Sequence, residues 1–201
     1  MQGSVMKQRR TDKEIVQSRA IETREKLLKS ALELYTQKGY HSTTVDEIAK
    51  NAGLSTGVAY RYFKNKKDLL LAAISYGFSM IKDLAGVEET DLFGSDLDHT
   101  LTAFERIHTE YFAFHEELEG LRHSDSDVGR LYDEFTKTAI ENVYEKLPEG
   151  IRKKADSLEN LYIAIGIMEN YCHTFMHKRL SDKQLKVMRK NVIKTVEALL
   201  L

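Results

Sequence analysis

Apolar residues recur along this chain at the spacing of a helix, and the strict alternation of a half-buried strand stands out nowhere. Leu27, Leu28, Ala31, Leu32 and Tyr35 fall on one stripe of a helix covering about residues 21–38. A single proline in 201 residues leaves little to interrupt such segments. Hydrophobic residues make up 42 %, enough for a core and too many for a disordered chain. The expected fold class is all-α.

Local signals place the helix ends. Gly39 follows the first stripe where a left-handed C-cap belongs. The second helix covers 45–52, with Val45, Ile48, Ala49 and Ala52 on one face, and Thr44 and Glu47 form the T-x-x-E of a capping box. Gly53, Leu54 and Ser55 make a three-residue turn. Gly53 takes positive φ without steric cost, Leu54 plugs the corner, and Ser55 caps a third helix over 56–63. Asn65 caps a fourth helix reaching about residue 84. Residues 86–96 read as a loop, 97–118 as a helix, and 119–129 as a second loop or a broken short helix. A helix over 128–147 ends at Pro148 and Gly150. Helices at 155–178 and 182–200 close the chain, the last with a capping box from Ser181 and Gln184.

The net charge of −1 hides an asymmetry. Residues 1–70 hold 14 Lys and Arg against 8 Asp and Glu, a net of +6, and the rest hold 16 against 23, a net of −7. A basic N-terminal third suggests a polyanionic partner; chance scatter of surface charge is the plain alternative. Two short helices joined by a glycine turn form a helix-turn-helix. On its second helix Val58, Ala59, Tyr62 and Phe63 point to the core, while Thr56, Gly57, Tyr60, Arg61 and Lys64 point away. Small residues at the start let the helix enter a major groove closely. Tyr60 can donate to a phosphate or touch a thymine methyl, and Arg61 can read guanine or hold a phosphate. Lys66 and Lys67 begin the fourth helix, where the dipole disfavours cations and a bound phosphate would offset that cost.

The stretch from Thr23 to Leu70 resembles the N-terminal domain of the tetracycline-repressor (TetR) family of bacterial regulators, in T-T-V-x-x-I-A-x-x-A-G-L-S, G-x-x-Y-x-Y-F and K-x-x-L-L. The resemblance covers about residues 21–81. It implies a homodimeric transcription factor, usually a repressor, that binds a palindromic double-stranded DNA operator and is released by a small-molecule effector. It also implies roles for single residues. Thr44 contacts phosphate, Ser55, Thr56, Gly57, Tyr60, Arg61 and Tyr62 form the recognition set, Lys66 is the phosphate-binding lysine, and Arg24 is a further phosphate contact. Tyr62 is ambiguous, because the face analysis buries part of its ring. The expected organisation is a basic flexible tail at 1–20, a three-helix DNA-binding domain at 21–81 with the helix-turn-helix at 44–63, and a helical effector-binding and dimerisation domain at 82–201. Lys7, Arg9, Arg10 and Lys13 read as a frayed terminus rather than a minor-groove arm.

In the C-terminal part, Leu158, Leu161, Ile165, Met168, Cys172 and Phe175 are spaced as a heptad seam, and Leu185, Met188, Val192, Val196 and Leu199 form another. Both could face the protomer's own core. The first helix is also apolar at Tyr162, Ala164, Ile167 and Tyr171, which favours a four-helix dimer interface. Leu101, Phe104, His108, Tyr111 and His115 share a stripe of the fifth helix. Its polar members need partners, and with Phe78, Phe112, Tyr132 and Phe135 they could line an effector pocket or simply be core. Ligand binding there would change the spacing of the recognition helices through the fourth helix.

Other chemistries find less support. Glu105-x-x-His108 is half of a di-iron motif without its second half. Glu169, His173 and His177 share a helical face and could hold a metal, but the set is short of ligands. No resident metal or cofactor is expected. A metal-sensing regulator is the alternative reading, and a helical-bundle metalloenzyme a remote one. Phosphate loops, G-x-G-x-x-G and G-x-S-x-G are missing, so no enzyme is expected. The lone Cys172 excludes an internal disulfide. The first twenty residues lack the apolar run of a signal peptide, and no apolar stretch approaches the roughly 18 residues that span a bilayer. A cytoplasmic protein without a membrane partner is expected.

Overall fold

The computed structural model describes residues 12–84 and 97–201. All regular structure among these residues is helical: α1 (Asp12–Lys38), α2 (Val45–Asn51), α3 (Thr56–Tyr62), α4 (Lys66–Leu84), α5 (Leu97–Ser124), α6 (Ser126–Lys146), α7 (Glu149–Arg152), α8 (Ser157–Met176) and α9 (Asp182–Leu200). No helix among the described residues is long and apolar enough to cross a membrane. The chain divides into two compact units between Ile74 and Ser75. The loop expected at 86–96 and the basic residues Lys7, Arg9 and Arg10 lie outside the described residues.

In the first unit α2 packs on both α1 and α3. Leu27, Leu28, Ala31 and Tyr35 of α1 are buried with Ile48 and Ala49 of α2 and Ala59 of α3. Each large side chain so buried contributes about 1.5–3 kcal/mol relative to exposure. Polar groups fix the register. Ser30 Oγ donates to Ile48 O at 2.8 Å, and Asn51 Nδ2 donates to Ser30 Oγ at 3.0 Å and to Glu33 Oε2 at 3.1 Å. The capping box forms as expected at Thr44 and Glu47. Gly39 and Gly53 take φ of 81° and 71°, the left-handed region that other residues enter at a cost. Ser55 has the extended backbone of an N-cap but makes no side-chain cap bond. Asn65 does cap α4, its Oδ1 accepting from Asp68 N at 2.8 Å.

Three expectations about segments change. Helix α1 begins at Asp12, so residues 12–20 are helical and not part of a tail. That turn has no apolar stripe to announce it, and Val16 is exposed. Residues 119–124 continue α5, and α6 starts at Ser126. In place of a loop or a broken short helix there is a sharp corner between two long helices at Asp125, whose carboxylate accepts from Asp127 N at 3.0 Å and Val128 N at 3.3 Å. Gly129 lets the two helices close up: a Cβ there would lie 2.9 Å from the Arg122 carbonyl oxygen. Past Pro148 the chain makes the short helix α7 before α8 begins.

The second unit is a helical bundle in which α8 packs on α5, α6, α7 and α9. Its core holds Leu97, Leu101, Ile140, Leu147, Leu161, Ala164, Met168, Tyr171, Cys172, Val192, Val196 and Leu200. This places five residues of the expected dimer seams (Leu161, Met168, Cys172, Val192 and Val196) inside the protomer. Heptad spacing records that α8 and α9 pack along a seam. Here the seam is mainly with helices of the same chain.

The Glu47 carboxylate accepts from Lys38 Nζ at 2.6 Å and from Thr44 N at 2.8 Å. The Lys38 hydrogen bond, then those from Thr44, lower its pKa to about 2. A depressed carboxylate pKa means stability that is complete above the ordinary carboxylate range and lost as pH falls from there towards 2. A carboxyl-carbon NMR titration should place the Glu47 midpoint near 2; a midpoint at the ordinary glutamate value would contradict the pairing.

Candidate functional site

The outward face of α3 and its surroundings form the exposed surface of the helix-turn-helix. Ser55, Gly57, Tyr60 and Arg61 are exposed, Tyr60 by 53 %, while Ala59 and Phe63 anchor the opposite face. Gly57 has open space around the position of a Cβ, so its small size leaves room for an approaching surface. Thr56 Oγ1 donates to the Asp46 carboxylate, tying α3 to α2. Tyr62 is half-buried. Its ring centroid lies 6.5 Å from that of Phe63. The face analysis therefore holds for its ring, and Tyr62 is less available than Tyr60. Thr44 is exposed, but its hydroxyl is engaged with Glu47 in the capping box.

Two cations flank this surface. The Arg24 guanidinium lies 5.5 Å from the Phe63 ring centroid. Lys66 Nζ sits 4.3 Å from the Tyr40 ring centroid and donates to His41 O at 3.3 Å. Partial burial lowers its pKa, opposed by Glu47 and aided by Lys38. Such a lysine at the N-terminus of α4 is held in place over an aromatic ring, beside a helix end that attracts anions.

The expected effector residues gather into two groups. Phe78 stacks on Phe135 at 3.8 Å between centroids and meets Tyr132 edge-on at 6.3 Å. The other group is polar and lies where α5 meets α8. His108, 7 % exposed, has Nδ1 2.8 Å from Phe104 O and Nε2 2.8 Å from Glu169 Oε2. His115 Nε2 is 2.9 Å from His173 Nε2. Phe112 packs edge-on against His177. Tyr111 has φ −115° and ψ 15°, so α5 bends between His108 and His115. Burial works against the His108 imidazolium, yet hydrogen bonds to Cys172 and Glu169 outweigh it and lift its pKa to about 10. Burial would raise the Glu169 carboxyl, but its hydrogen bond to His108 and the surrounding imidazoles hold it below the ordinary range.

Glu105 does not join this group. Its Oε1 accepts from Tyr171 Oη at 2.6 Å and from Arg189 Nε at 3.1 Å. Arg189 also donates to the Asp98 carboxylate and to Thr102 Oγ1, which locks α9 to α5. The half di-iron motif is thus divided between an arginine network and a histidine cluster. Neither Arg189 nor the approach of Glu169 to His108 was visible in the sequence, because both depend on which helices pack together.

The apolar surface of the second unit lies beside the heptad seams and partly on them. Ile163 and Val187 are 51 % and 55 % exposed, and Tyr162 is exposed nearby. Ile167, Leu180, Val187, Met188 and Val192 line a groove of about 660 Å³ between α8 and α9. Of the seam residues, Leu158, Ile165, Phe175, Leu185, Met188 and Leu199 are only half-buried.

Comparison with known proteins follows this division. Residues 27–73 match the family of bacterial regulatory proteins, tetR family. The helix-turn-helix-type transcriptional regulator YerO of Bacillus subtilis is 43 % identical over 75 residues, 36 % of this chain. The match spans only 25 % of YerO's own length. YvkB of the same organism is 23 % identical over 188 residues, covering 88 % of this chain and 94 % of that protein. A TetR transcription regulator from Haloarcula marismortui shares the fold with a TM-score of 0.69 at 16 % identity, over 90 % of this chain and 100 % of that one. Residues 27–73 thus match the N-terminal domain of tetR-family regulators, and the chain as a whole shares its fold with solved TetR-family regulators.

Proposed function

We propose that the protein binds a palindromic DNA operator as a homodimer, represses transcription there, and is released when a small molecule binds its second unit. The observation that carries this reading is the exposed Gly57–Tyr60–Arg61 face of α3, flanked by the held cations Arg24 and Lys66. Gly57 lets the helix approach base edges, Tyr60 and Arg61 contact bases or phosphates, and the flanking cations neutralise phosphates. Thr44, Ser55 and Thr56 add backbone contacts around the same helix, and Tyr62 contributes less.

Dimerisation is assigned to α8 and α9. Tyr162, Ile163, Val187 and the groove containing Met188 are the apolar surface a second copy would cover, with Phe175 and Leu185 at its margin. The aromatic group of Phe78, Tyr132 and Phe135 supplies apolar contacts for an effector. Effector binding acts through α4 by favouring a different spacing of the two recognition helices.

Titration against the DNA upstream of the protein's own coding sequence, at two salt concentrations, tests the reading. Tyr60→Ala should weaken binding to that DNA by roughly 5- to 150-fold, as loss of a base contact does, while binding to random duplex changes little. Its thermal midpoint should stay within a few degrees, because Tyr60 is 53 % exposed. Equal affinity of the parent protein for both duplexes would contradict sequence-specific binding. For the dimer, sedimentation should give twice the 23.1 kDa chain mass, and Val187→Glu should reduce it to one chain with helicity retained. A single-chain mass for the parent protein would contradict the α8–α9 interface.

A further inference from the structure

The polar cluster between α5 and α8 has a valence problem that points to a cation. The Phe104 carbonyl can only accept, so His108 Nδ1 carries a proton. In neutral His108 the Nε2 atom is then a bare lone pair, 2.8 Å from a carboxylate oxygen of Glu169 that also only accepts. A positive charge has to lie between them, either a proton or a metal ion. Two further nitrogens stand at the same place, His115 Nε2 and His173 Nε2, 2.9 Å apart. One ligand atom from each of His108, His115, Glu169 and His173 falls within 4.8 Å of all the others.

We propose that His108, His115, Glu169 and His173 bind one divalent first-row transition-metal ion with the ligand preference of zinc. Three imidazoles and one carboxylate are a donor set that such ions take, at about 2.0–2.2 Å from each donor. Donors around a tetrahedral ion of that size stand about 3.3 Å apart. The contacts at 2.8 and 2.9 Å therefore need to open by about half an ångström. The surroundings match those of a ligating histidine, whose second ring nitrogen is usually held by a carbonyl or carboxylate. His108 Nδ1 is held by Phe104 O, and His173 Nδ1 faces Glu116 Oε1 at 3.8 Å. The cluster also rests on two helices that pack together, with Glu169 and His173 one turn apart on α8 and His108 and His115 on either side of the bend in α5. This site stands independently of the operator-binding reading.

A second trio, Glu116, His173 and His177, shares His173 but is more exposed and has one donor fewer. The test separates the two. The full chain, stripped with a chelator and dialysed, is titrated with Zn²⁺ by calorimetry and with Co²⁺ by visible absorption, beside His115→Ala, Glu169→Gln and His177→Gln. The expected result is one equivalent per chain and the intense visible bands of four-coordinate Co²⁺, displaced by Zn²⁺. Affinity should fall in His115→Ala and Glu169→Gln by more than the roughly 10- to 100-fold that loss of an outer partner causes. In His177→Gln it should change by less than that. Circular dichroism checks that the variants fold, and the parent protein's cobalt spectrum decides the matter if one does not. No stoichiometric uptake, only the weak absorption of six-coordinate Co²⁺, or loss in His177→Gln with retention in His115→Ala would overturn the assignment.

Discussion

A seven-residue helix cannot hold itself in water, and the helix-turn-helix unit contains two of them. Helices α2 and α3 are each far shorter than the roughly 12–15 residues at which isolated helices become even marginal. Their geometry depends on burying Ile48, Ala49 and Ala59 with Leu27, Leu28, Ala31 and Tyr35 of α1. The Ser30–Ile48 hydrogen bond and the Asn51 bridge to Ser30 and Glu33 then fix how α2 lies along α1. Gly53 turns the chain, and Thr56 binds back to Asp46, so α3 follows α2 rather than fraying. The exposed Gly57–Tyr60–Arg61 face is a consequence of this packing. Once Ala59 and Phe63 are buried, those residues have nowhere to point but outward.

The second unit solves a different problem. Its helices bury an ordinary apolar core, but α5 and α8 also enclose ionisable groups. The arginine network handles part of this: Arg189 joins Asp98, Thr102 and Glu105 at the contact between α5 and α9. The histidine cluster handles the rest, with His108 buried and poised between a carbonyl and a carboxylate. Polar groups in such a place restrict how the helices can pack, because an unpaired buried partner is costly.

Much of the first unit was legible because its signals are local. The capping box at Thr44 and Glu47, the positive φ at Gly39 and Gly53, and the Asn65 cap each follow from residues a few positions apart. Signals failed where they were compositional. The small and polar residues of 119–129 suggested a loop or a broken short helix, whereas two long helices meet there at a tight corner that Asp125 caps, and Gly129 permits close contact with Arg122. Helix α1 extends back to Asp12 without an apolar stripe to show it. The seams on α8 and α9 were visible as periodicity, but periodicity does not say whether the facing helix belongs to the same chain. Leu161, Met168, Cys172, Val192 and Val196 turned out to face the protomer's own core. Glu169 was seen with His173 and His177 on one helix face, while its pairing with His108 needed the packing of α5 on α8.

The central claim is that the α2–α3 corner presents a sequence-reading surface, used twice over in a two-fold assembly. Selection of bound duplexes from a random pool, followed by hydroxyl-radical footprinting of the enriched sequence, tests it most directly. The account predicts enrichment of one inverted repeat, with two protected patches whose centres lie one helical turn, about 34 Å, or a multiple of it apart. Enrichment of no sequence, or protection spread evenly along the duplex, would contradict it.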